Sequence, residues 1–119
     1  MKTTQIETGT LGAKNSVFVA FYTKGYHHYQ TSEECRNWGP DAWNSKIALM
    51  GVVMRWDGSF GFVGGKVDQG ETLLDAVIRE TMEEVGTTIT EEQLTLMCTH
   101  EMEDGNFHQN THLYLCELT

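Results

Sequence analysis

Residues 64–87, GGKVDQGETLLDAVIRETMEEVGT, set the strongest limit on the fold. A Gly-Gly turn and a short polar loop lead into about four helical turns. Leu74, Val77, Ile78, Met82 and Val85 recur at three- and four-residue steps, which predicts an amphipathic helix with one apolar stripe against a core. Thr72 followed by Asp75 has the pattern of a capping box, and Gly86 suits the left-handed residue that ends a helix. At about 100° per residue, Glu80, Glu83 and Glu84 fall within about 100° of one another, away from that stripe.

Three carboxylates on one helix face repel one another, and only Arg79 lies nearby to offset them. Surface helices usually dilute such charge with lysine at i+4 spacing, which is not found here. Two readings follow from spacing alone. The row is a solvated acidic face, or it holds a divalent cation. Clustered carboxylate oxygens suit Mg²⁺ or Mn²⁺, which keep several waters and also bind substrate phosphates.

Around this helix the chain reads as strands. Ser16–Tyr22 is rich in Val and Phe, and residues 1–15 form a polar lead-in with some strand character. Residues 24–46 are too long for a tight turn and contain the only proline, so they are expected to be a functional loop or a partly helical excursion. Ile47–Trp56 is a second strand, Asp57-Gly58 a hairpin turn, and Ser59–Val63 a short strand delivering the chain to Gly64. After the helix and an acidic link, Thr90–Gln93, come strands at Leu94–Glu101 and Thr111–Leu118, with Asp104-Gly105 in the connection. Strands around a central helix predict an α/β or α+β layered domain, and 119 residues are read as a single domain spanning 1–119.

Charge narrows the partners. A formal net charge of -9 argues against a general nucleic-acid binder, which would show a basic stripe. It fits a protein that meets phosphate through bound cations. The three cysteines, Cys35, Cys98 and Cys116, cannot all pair and form no C-x-x-C, which predicts a reduced compartment. The N-terminus lacks the apolar run of a secretion signal, and no segment approaches the roughly 18 apolar residues that cross a bilayer. A cytoplasmic protein without membrane attachment is the expectation.

The complete string resembles the Nudix box, G-x5-E-x7-R-E-U-x-E-E-x-G-U, where U is bulky and apolar. Gly65, Glu71, Arg79, Glu80, Glu83, Glu84 and Gly86 match its seven fixed positions at the right spacing. The two U positions hold Thr81 and Thr87, and Asp68 stands where a glutamate is common. The run Met54–Asp68 looks particularly like the branch containing the small-nucleolar-RNA decapping enzyme and inosine-diphosphate hydrolase. A base-contacting histidine of that branch is replaced here by Phe18, so its purine preference does not carry over.

The resemblance implies a Nudix-like fold: a mixed β-sheet layered with helices, the box forming strand, loop and helix. A second, C-terminal helix usual in such domains has no counterpart in this sequence. Three explanations are open: the sequence is a fragment, a partner subunit supplies the missing layer, or the 24–46 excursion covers that face; an uncovered apolar sheet face would be an association surface, which favours an oligomer. The implied activity is hydrolysis of a nucleoside diphosphate linked to X, cleaved at the phosphoanhydride, with Mg²⁺ or Mn²⁺ as cofactor. Glu80, Glu83 and Glu84 become metal and base candidates, the main-chain carbonyl of Gly64 a further ligand, and Arg79 the residue orienting a box carboxylate. Glu71 is read as structural or as an outer metal ligand. A further carboxylate used by some relatives on a late loop either falls at Glu101–Asp104 or is missing from this sequence. The competing reading is a catalytically silent Nudix-like nucleotide-binding or regulatory subunit, supported by the two threonines and the missing helix.

Other residues have two readings each. Cys98-x-His100 with His108-x3-His112 suggests a zinc set, but alternate strand positions point to opposite faces, and ordinary histidines are the preferred reading. His27 and His28 suit contact with phosphate or base, and Trp38 and Trp43 suit stacking on a base, against the plainer readings of polar loop and packing. Trp56 is taken as structural, and Met50, Met54, Met82 and Met97 as core filler. Selectivity resides in residues 24–46 and 101–110, leaving free nucleotides, dinucleotides, nucleotide sugars and a capped RNA 5′ end as substrates. The acidic charge favours small nucleotides over long RNA.

Overall fold

The computed structural model describes the backbone of residues 2–26, 47–51, 53–54 and 58–118. Among the described residues, eight strands, β1 (Lys2–Ile6), β2 (Asn15–Tyr26), β3 (Ile47–Gly51), β4 (Val53–Met54), β5 (Phe60–Gly61), β6 (Val63–Lys66), β7 (Leu94–Asp104) and β8 (Phe107–Glu117), accompany one α-helix, α1 (Leu73–Val85), and a short 3-10 turn at Glu91–Gln93. Six of them form a mixed sheet in the order β1-β7-β8-β2-β3, with β6 also paired to β2, while β4 and β5 form a separate ribbon. The architecture is mixed α+β, the layered class expected from the sequence.

Strand β2 organises the sheet. One edge runs parallel to β8 from Asn15↔Asn110 to Tyr22↔Glu117. The other edge is shared, with β6 opposite Ser16–Val19 and β3 opposite Phe21–Tyr26, both antiparallel. Alternation along the strand sends Val17, Val19 and Phe21 to the α1 side, where His112, Tyr114 and Cys116 are their parallel partners. Val17, Val19, Val63, Ala76, Val77, Ile89, Tyr114 and Cys116 form the core, each 5% exposed or less. Burying a valine there contributes roughly 1.5–3 kcal/mol relative to exposure.

Helix α1 starts and stops where the sequence signals it. Thr72 accepts the Asp75 N–H at 3.1 Å, and Gly86 takes φ 76° with its N–H on the Met82 carbonyl. The buried stripe, however, is rotated towards the glutamates. Ala76, Val77 and Thr81 are buried, whereas Met82 and Val85 are 45% and 47% exposed. Thr81 occupies an apolar box position without strain, because its hydroxyl donates to the Val77 carbonyl one turn back at 2.8 Å.

The lead-in is structural: β1 adds to the outer edge of β7. Strands β7 and β8 are longer than predicted and close at a two-residue turn, Gly105-Asn106, with Asp104 facing Phe107 and Gly105 at φ 61°. Glu101–Asp104 therefore lies on a strand and not on a late loop. Met97 is the extra residue of a bulge between the Leu96↔Tyr114 and Cys98↔Leu113 pairs, and it is 56% exposed, so Met97 and Met82 are not core filler. Cys98 and Cys116 are free thiols, and burial pushes Cys116 up from its ordinary pKa. No helix among the described residues is long and apolar enough to cross a membrane.

Candidate active site

Strand β6 carries the two glycines that open the site. A Cβ on Gly64 would collide with the Val17 carbonyl oxygen and the Phe18 ring, so the close approach of β6 to β2 requires glycine there. A Cβ on Gly65 would meet the Glu80 carboxylate, with its carboxyl carbon at 2.7 Å. Glu80 is thereby seated against the β6 backbone instead of turning to solvent, and its side chain is only 13% exposed.

Arg79 ties this assembly together. Its Nε and Nη2 donate to Glu71 Oε2 and Oε1 at 2.8 and 3.0 Å, a two-pronged clasp. Nη2 also donates to the Lys66 carbonyl at 3.0 Å, and Asp68 lies 3.5 Å away. Nη1 donates to Glu80 Oε1 at 3.1 Å and to Glu83 Oε2 at 3.2 Å, bringing two carboxylates to one nitrogen. Glu71 accepts a further bond from the Asp68 amide at 3.0 Å, which folds the box loop back on itself. The Arg79 hydrogen bonds, with the Asp68 amide, hold the Glu71 carboxyl below the usual range despite its desolvation. Glu71 in turn raises the already high Arg79 pKa. The arginine predicted to orient one box carboxylate thus binds three. Glu83 and Glu84 are exposed on the outer side of α1.

The zinc set does not assemble. His112 is fully buried, with Nδ1 2.9 Å from Thr99 Oγ1 and Nε2 3.0 Å from Asn15 Oδ1. Asn15 Oδ1 only accepts, so Nε2 carries the proton and Nδ1 accepts from the Thr99 hydroxyl. Burial lowers the His112 pKa, keeping it neutral. Asn15 Oδ1 also accepts the Gly12 N–H and Thr99 Oγ1 the Gly9 N–H, both at 2.9 Å, so this histidine anchors the 9–15 segment onto the sheet. His108 belongs elsewhere, with Nε2 at 3.5 Å from Glu101 and 3.7 Å from Glu103. These three place ligand-type atoms within 4.8 Å of one another and make up the candidate acidic metal group of the described residues. The sequence reading separates Glu101–Asp104 from His108; a two-residue turn at Gly105-Asn106 joins them, since that register sets Glu103 directly opposite His108. His27, His28, Trp38, Trp43 and Trp56 lie outside the described residues.

The fold is similar to that of several solved proteins. A Bacillus subtilis pyrophosphohydrolase, BsRppH, in mutant form, superposes with a TM-score of 0.64 at 14% identity over 97% of this chain and 58% of its own. A MutT/nudix family protein from Enterococcus faecalis gives 0.65 at 18% identity over 96% of this chain and 40% of its own. A C. elegans Ap4A hydrolase gives 0.53 at 21% identity, covering 88% of this chain and 67% of the other. The chain thus spans about half the length of the first two. No curated protein sequence matches it. The NUDIX domain family model matches residues 44–119, a stretch that includes the Gly64-Gly65 pair, the Arg79 cluster and the β7–β8 hairpin, and the chain belongs to the Nudix domain family.

Proposed function

We propose that this chain is a divalent-metal-dependent hydrolase that cleaves the phosphoanhydride of a nucleoside diphosphate linked to a further group X. The observation that carries the reading is the convergence of Glu80 and Glu83 on Arg79 Nη1, beside a glycine that leaves room for the Glu80 carboxylate. One guanidinium cannot neutralise Glu71, Glu80, Glu83 and Asp68 together, so the cluster keeps an excess of negative charge. Its donors are hard oxygens, the set that Mg²⁺ or Mn²⁺ prefers. Glu80, Glu83 and Glu84, with the Gly64 carbonyl, would hold the ion. When bound, it supplies charge neutralisation at the phosphates and a bound water of lowered pKa.

The remaining roles belong to the chain itself. Arg79 positions Glu80 and Glu83, and Glu71 fixes Arg79 from the loop side. A box glutamate takes the proton of the attacking water. The water oxygen bonds to phosphorus as the bridging P–O bond breaks, and the leaving phosphate departs with the electron pair. Residues 1–119 act as one domain in this reading. Substrates are small nucleotides or nucleotide-linked compounds, with a capped RNA 5′ end the larger alternative. The net charge of -9 favours the former.

The test compares the wild-type chain with the E83Q/E84Q double variant on a panel of nucleoside di- and triphosphates, dinucleoside polyphosphates, nucleotide sugars and capped RNA. Products are identified by mass in Mg²⁺, in Mn²⁺ and in EDTA. Metal-dependent hydrolysis that the double variant loses by at least about a hundredfold is expected. Equal turnover by both proteins would remove the carboxylate row from the reaction. Association through a second copy or partner belongs to the same reading, and light scattering of the purified chain decides it.

A further inference from the structure

A cavity of about 870 Å³ opens at the end of the sheet where β2 and β8 begin and β6 leaves. One wall is the 9–15 segment with Leu11 and Lys14, another the box loop from Lys66 to Leu73, and the β8 end contributes Phe107 and Gln109. Its size lies within the range of about 300–1,000 Å³ typical of small-ligand sites. Glu71 reaches it, but Glu80, Glu83 and Glu84 do not line it. The Arg79 clasp on Glu71 therefore separates this space from the carboxylate row.

The lining has an uneven charge balance. Its two acidic residues, Asp68 and Glu71, are committed to Arg79. Neither the Lys14 nor the Lys66 ammonium has an ion-pair partner among the described residues. Of the 8 basic residues in a chain with 17 acidic ones, two thus line one cavity without an ion-pair partner among the described residues. Beside them stand two large apolar side chains left in water, Leu11 at 66% and Phe107 at 42% exposure. Cations next to an exposed aromatic and an aliphatic group suit a ligand with an anionic end and a flat, partly apolar end. Gln109 adds a carboxamide, the group that reads donor and acceptor edges.

We infer that this cavity is a nucleoside phosphate-binding site distinct from the carboxylate row, with the phosphate held by Lys14 and Lys66 and the base set against Phe107 and Leu11. It does not require the row to be catalytic. The 9–15 wall is preformed by the His112, Thr99 and Asn15 hydrogen bonds, and the opposite wall by the Glu71–Arg79 clasp, so little ordering accompanies binding.

Calorimetric titration in EDTA tests this with AMP, GMP, CMP and UMP, none of which contains an anhydride to cleave. At least one is expected to bind. Lys14→Glu and Phe107→Ala should each weaken it by roughly tenfold or more, more so at low salt for the first. Both residues are exposed, so the variants should keep the wild-type circular dichroism spectrum. The E83Q/E84Q variant should bind as wild type does, which separates this site from the hydrolytic reading. The inference is overturned if no member of the panel binds in EDTA. It is equally overturned if binding survives both cavity substitutions, or is abolished by E83Q/E84Q alone.

Discussion

The glycines of β6 show how a missing side chain makes a site. Gly65 has ordinary backbone geometry, so its identity is dictated by the Glu80 carboxylate that occupies the Cβ position. Gly65→Ala would push that carboxylate off Arg79 Nη1. A displacement of this kind can cost on the order of a hundredfold in turnover, and stability should fall by no more than about 1–3 kcal/mol. Gly64→Ala is the contrasting case, since its Cβ would strike β2 main chain and the Phe18 ring, and it should fail to fold. Steady-state rates together with urea midpoints separate the two, and a Gly65→Ala protein with wild-type turnover would refute the seating of Glu80.

Among elements, α1 is where sequence and structure agree most closely. The Thr72 cap and the Gly86 stop are local devices, readable because each involves residues three or four positions apart. Thr72→Ala should cost about 0.5–2 kcal/mol, and Gly86→Ala about 1–2 kcal/mol through its φ of 76°. Thermal or urea unfolding measures both, and a neutral Gly86→Ala would show that the left-handed stop is not needed. The buried face of the helix was less legible. Hydropathy selects Met82 and Val85, yet tertiary contact with β6 and β2 selects Ala76 and Thr81, residues too small or polar to signal burial. Likewise the box fixed the spacing of Arg79 and its glutamates, but not that Arg79 would bind Glu71, Glu80 and Glu83 at once, because side-chain hubs depend on how the loop folds back. The 66–73 cavity wall and the Glu103–His108 pairing depend on strand register, which alternation alone does not supply.

At the scale of the whole molecule, two groups make stability depend on pH in separate windows. His112 is buried and neutral, with a folded pKa below the ordinary 6.5. The unfolded chain takes up a proton as pH falls through about 6.5 while the folded chain does not, so this contribution is complete above that value and declines below it. Glu71 has a folded pKa depressed from 4.5, so its contribution is present above about 4.5 and is lost as pH falls through the folded value. Urea titrations between about pH 8 and about pH 3 should show both declines. His112→Gln should remove most of the first and leave the second, whereas an unchanged profile would place the first decline on other histidines. The position of β2 has a further consequence. Its parallel partner, β8, lies some ninety positions later, from Asn15↔Asn110 onward. During synthesis the innermost ladder must therefore stand half-zipped until β8 itself has left the ribosome. Closing so long a loop is slow, and an unsatisfied inner edge invites pairing with a neighbouring nascent chain, so chaperone dependence and inclusion-body formation should track the rate of translation through β7 and β8.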